Sequence, residues 1–187
     1  PASEVARAAG RQIEELIEAR NRSTSTEVMI SGAQQKVLEL LSTKQIDGIV
    51  AMGGASMALI ASRVMGKLPF GMPKVIATPA AMPTYISEWF GPYDVAVLQV
   101  IMEFAGMNNL LEAVIAVVAG AVSGMVEEAR DFLSLRLPYP SVAITQIGFN
   151  EECAAEVKRL LEEKGYHVYQ IHANGISDRS MEKLMAQ

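Results

Sequence analysis

A single cysteine, Cys153, stands in the 187 residues, so the chain cannot close an internal disulfide and offers no CxxC-type metal or redox site. Histidine is nearly absent too: His167 and His172 occur without HExxH spacing or clustered carboxylates, which leaves no case for zinc. Lys and Arg never cluster, and with a net charge of −5 the basic stripe of a nucleic-acid surface is missing. A bilayer crossing needs roughly 20 apolar residues. The one segment that resembles a crossing, 110–126, loses its charge-free run at Glu112 on one side and Glu127 on the other. It reads instead as a buried central helix, with Gly120 and Gly124 spaced to let a neighbour pack closely. Residues 1–20 are amphipathic and charged, unlike a secretory signal. Pro1 in place of an initiator Met suggests a processed, trimmed or fragmentary chain. Together these absences predict a cytoplasmic protein with neither nucleic-acid nor membrane partners.

What is present is core-forming sequence, since half the residues are hydrophobic. Val5, Ala8, Ala9, Ile13, Leu16 and Ile17 recur at helical spacing and predict one helix over 4–20. A polar link, 21–26, then precedes a helix over 27–43 that tolerates Gly32. Apolar runs at 47–52, 74–78 and 94–98 read as buried strands, separated by a helix at 55–66 and followed by a long helix over 108–134. The loop 79–92 holds Trp89 and Phe90, which with Tyr93 suggest a lid or subunit contact. Leu137-Pro138-Tyr139-Pro140 marks a boundary between lobes 1–137 and 138–187. Past it, strand 142–147, a helix over 151–164 capped by Asn150 and closed by Gly165, strand 168–172 and a helix from Ser177 or Asp178 form a partial lobe. The expected class is α/β: a Rossmann-like parallel sheet with helices on both faces, plus a smaller second α/β lobe.

Function is expected first at Gly53-Gly54, between the strand 47–52 and the helix 55–66. Ligands of parallel α/β sheets bind at the carboxyl ends of strands, and a helix start there offers unpaired amides and partial positive charge to an anion. Ser56 beside the pair reads either as a helix-terminal hydroxyl or as a nucleophile. The order Ser56, Asp94, His172 matches that of an α/β-hydrolase triad, although no oxyanion loop is visible. His172 and Arg179 flank Gly175 near a strand end and suggest an anion site. Cys153 reads as a small helix-packing residue.

Several stretches run in one order: Ile46–Gly54, Leu68–Ile76, Gly106-Met107-Asn108, Ala119-Gly120-Ala121 with Gly124-Met125-Val126, and His172–Gly175 with Arg179–Leu184. Together they resemble the Tm-1-like ATP-binding domain family, that of the tomato mosaic virus resistance protein and its bacterial and archaeal homologues. The resemblance implies two Rossmann-like lobes with a nucleotide-type pocket between them, ATP with magnesium as ligand, and a homo-oligomer. Family chains are longer, and this one lacks their opening strand and the end of their second lobe. The departures fall at the chemistry. Gly53-Gly54-Ala55-Ser56-Met57-Ala58 stands for Gly-Gly-Ser-Gly-Gly-Thr, Thr78-Pro79-Ala80-Ala81-Met82 for Thr-Val-Ala-Ser-Gly, and Glu103 for Asp. Met57 and Met82 should make the pocket more apolar. The expected ligand is a nucleotide or another anionic small molecule, contacted by Gly53, Gly54 and Ser56, with Thr78, Asn108, His172, Gly175 and Arg179 around it. Two other readings stay open: a serine hydrolase using Ser56, and a non-binding structural subunit.

Overall fold

The structure is a computed structural model that describes residues 1–81, 91, 93–134 and 136–185. The expectations placed on Met82, Trp89 and Phe90 lie outside the described residues. The chain divides into two compact units, Pro1–Arg130 and Asp131–Gln187.

The first unit opens with three helices, α1 (Ala2–Ala8), α2 (Ile13–Ala19) and α3 (Arg22–Ser42). The single helix expected over 4–20 is therefore two, broken where Gly10 takes φ +72°. The hydrophobic spacing runs across the break, and the backbone does not. Residues 22–26 are helical rather than a link, because the Asn21 side chain accepts the Thr24 N–H at 3.0 Å and caps α3 five residues early. Gly32 is required rather than tolerated: a Cβ there would sit 1.9 Å from the Val5 carbonyl oxygen, where α1 packs against α3.

Strand β1 (Ile49–Met52), helix α4 (Ala55–Met65), strand β2 (Lys74–Thr78), strand β3 (Ala96–Gln99) and helix α5 (Asn109–Ser134) follow. The strands lie in the order β1-β2-β3, all parallel, with Val50 opposite Val75 and Ile76 opposite Val97. β2 is buried at every position because it is covered on both sides. Ile76 joins Ala58, Ala61 and Met65 under α4, while Val75 and Ala77 join Val100 and Val118 under α5. Fully burying one such aliphatic side chain contributes about 1.5–3 kcal/mol, so this two-sided β2 dominates the core.

Helix α5 differs from its expectation. By length and composition Asn109–Ala129 is apolar enough to cross a membrane. Its inner face, with Val114, Val118, Val122 and Met125, packs on the sheet. Leu110 and Val117 are exposed, and a Cβ at Gly120 or Gly124 would meet nothing within 4 Å. The expected close neighbour at those glycines is thus absent among the described residues.

In the second unit β4 (Ser141–Gln146) and β5 (His167–His172) pair in parallel, joined by α6 (Glu151–Glu163), and α7 (Ser177–Met185) follows. Asn150 does not cap α6. Its Oδ1 accepts the Ile147 N–H at 2.8 Å and closes a short 3-10 turn at Gly148–Asn150. Cys153, in the first turn of α6, is exposed rather than packed.

Candidate functional site at the carboxyl edge of the first sheet

Three elements meet at the carboxyl ends of the strands of the first unit. α4 begins there directly after β1. α5 also begins there, because it runs antiparallel to the strands: Val126, late in the helix, lies against Gly48 and Pro73 at the opposite edge. α3 begins there too, since Arg22 in its first turn donates from Nη2 to Ser56 Oγ at 2.6 Å.

The Gly53-Gly54 turn splits into two roles. The Gly53 N–H donates to the Ala77 carbonyl at 3.1 Å, so this amide extends the sheet and is not offered outward. Gly53 has φ +155°, and a Cβ on it would lie 2.9 Å from Met57 Cβ. Glycine is required at 53 by the protein itself. At Gly54 an added Cβ would meet nothing within 4 Å, so the protein makes no such demand there. Met57 folds over Gly53 and leaves Gly54 open.

The helix ladder of α4 starts with Ala58 N–H donating to the Gly54 carbonyl at 3.0 Å. The amides of Ala55, Ser56 and Met57 therefore lie outside it. No side chain caps them, and no acidic residue occupies the first turn. Every other helix of the described residues has one or the other. α1, α2 and α6 carry first-turn glutamates. Asn21 caps α3. Asn108 caps α5, accepting from Leu110 and Leu111 N–H at 3.1 and 2.9 Å. Asn174 caps α7, accepting from Ser177 N–H at 2.7 Å. Among the described residues, α4 alone presents its partial positive charge without a side-chain cap or a first-turn acid, beside a guanidinium.

The remaining expected residues separate. Thr78 is fully buried, its Oγ1 accepting the Ala80 N–H at 3.1 Å, so it forms the floor of this edge rather than its surface. Asn108 is engaged as the cap of α5. His172, Gly175 and Arg179 belong to the second unit. There His172 is exposed at the end of β5, the Gly175 N–H donates to Asp178 Oδ2 at 2.9 Å, and Arg179 is exposed.

The hydrolase reading meets a physical obstacle. Asp94 lies at the amino edge of the sheet, where Oδ1 pairs with Lys74 Nζ at 2.7 Å and Oδ2 accepts the Gly71 N–H. Ser56 lies at the carboxyl edge, one five-residue strand away, which is roughly 15 Å at 3.3 Å per residue. The group against Ser56 Oγ is a guanidinium, a donor that cannot serve as a base. The triad is not assembled.

Arg22 was not among the expected site residues. Its signal is topological: a helix that precedes a strand of a parallel sheet runs back along it and so starts at the carboxyl edge. Lys74, the first residue of β2, is only 1% exposed. Its ammonium also donates to the Pro69 and Met72 carbonyls at 2.7 and 3.0 Å. Burial lowers its pKa, against the opposing pull of Asp94. Two surface hollows, of about 490 and 420 Å³, are lined by Gly165–Tyr169 with Glu162 and by α1 and α3 residues. Neither of these two hollows includes Gly53–Ser56. Among the described residues no group of three or more His, Cys, Asp or Glu is placed to hold a metal.

A parallel sheet covered on both faces, with a glycine turn feeding a bare helix start, defines a Rossmann-like α/β protein. Residues 1–131 match the N-terminal domain of the uncharacterised protein family UPF0261 and residues 139–187 its C-terminal domain, and the chain belongs to that family. It is 32% identical over 183 residues to a UPF0261 protein of Clostridium tetani, covering 97% of this chain and 44% of that one. A UPF0261 protein of Brucella suis is 28% identical over 191 residues, covering 98% and 44%. The ToMV resistance protein Tm-1(GCR237) of Solanum lycopersicum is 28% identical over 162 residues, covering 84% and 21%. The Tm-1-like resemblance is thereby shown. The chain spans less than half the length of these curated relatives.

Proposed function

We propose that the chain binds an anionic small molecule, a nucleotide in the first instance, at the Gly54–Met57 start of α4. The observation that carries this reading is the uncapped, acid-free first turn of α4 with Arg22 held against Ser56. Backbone amides and a helix terminus stabilise a phosphate or carboxylate, and a guanidinium adds a charge-assisted pair. Open space at Gly54 lets a ligand oxygen approach the backbone. ATP is the ligand to test first because the family resemblance implies it. Gly53 and Thr78 act as the frame of the site, and Asn108 as the cap that fixes the neighbouring helix. His172, Gly175 and Arg179 form a separate group of candidates within the second unit. Assembly as a homo-oligomer and a cytoplasmic location belong to the same proposal.

Isothermal titration calorimetry with ATP, with and without magnesium, and with GTP, NAD, acyl-CoA and inorganic phosphate tests it. Binding of at least one phosphate-bearing ligand is expected, weakened tenfold or more in Arg22→Ala. Silence across the panel would leave the structural-subunit reading in place. Covalent labelling by a fluorophosphonate, abolished in Ser56→Ala, would instead revive the hydrolase.

A further inference from the structure

We draw no further inference here: the strongest candidate, the exposed apolar face of α5 at Leu110, Val117, Gly120 and Gly124, carries nothing because nothing in the structure shows what covers it.

Discussion

The two edges of the first sheet are built to opposite rules. At the amino edge the buried Lys74 and its neighbours are matched. The Lys74 ammonium meets Asp94 and two carbonyls, and the other oxygen of Asp94 takes the Gly71 amide. At the carboxyl edge three first-turn amides of α4 lie outside the helix ladder without a side-chain cap, and the Arg22 guanidinium donates to Ser56 Oγ. A saturated edge holds the fold together, whereas an unsaturated one is poised to bind. The contrast shows why a charged residue deep in a strand is weak evidence for a site, and an exposed arginine beside a bare helix start is better evidence.

The largest effect is expected at the saturated edge. Lys74→Met leaves Asp94 and two carbonyls without their donor, and breaking a buried pair costs about 3–5 kcal/mol. Urea unfolding should show that loss with ligand affinity changed only through stability. The same residue sets a pH trend. Its folded pKa lies below the ordinary 10.5, so between the two values the unfolded chain binds the extra proton. This group's contribution therefore rises as pH climbs through that window, and the rise should vanish in Lys74→Met.

The glycine pair comes next and divides the turn. Gly53→Ala should cost about 1–3 kcal/mol, since its Cβ runs into Met57 on a backbone unsuited to a side chain. Gly54→Ala should cost under about 1 kcal/mol of stability. It should nonetheless weaken ligand binding tenfold or more, because the methyl group occupies the approach to the amides. Equal destabilisation by the two variants would erase the proposed division of roles.

Arg22→Ala should move stability by no more than about 0.5 kcal/mol, as an exposed surface change, while lowering anion affinity at least tenfold. The smallest effect belongs to the exposed pair between α3 and α4, Arg63 with Glu27. The guanidinium holds the Glu27 carboxyl below its ordinary value, so its contribution is present near neutral pH and fades as acid protonates it. Glu27→Gln should lower the thermal midpoint slightly at pH 7 and not at all in acid. Ligand affinity should be unmoved.

Most of the fold was legible because buried parallel strands write themselves as continuous apolar runs. Lys74–Thr78 was bounded to the residue, with Pro79 ending it. Helix boundaries were less legible where polar chemistry sets them. Asn21 starts α3 inside a Ser/Thr run that reads equally well as a link, and Gly10 splits a helix whose hydrophobic spacing continues. The Gly53-Gly54 turn was visible from its strand-to-helix context. Arg22 was not, because an exposed arginine distant in sequence leaves no periodic trace. Nor could spacing alone separate Ser56 from Asp94, since the length of β2 that divides them is a property of the folded sheet.

The central claim is tested most directly by following the amide resonances of Ala55, Ser56 and Met57 during titration with ATP or inorganic phosphate. The account predicts that these three shift together and saturably in the native chain, and that in Arg22→Ala the same shifts need at least tenfold more ligand. Binding that leaves all three unmoved, or shifts that persist unchanged without Arg22, would contradict it.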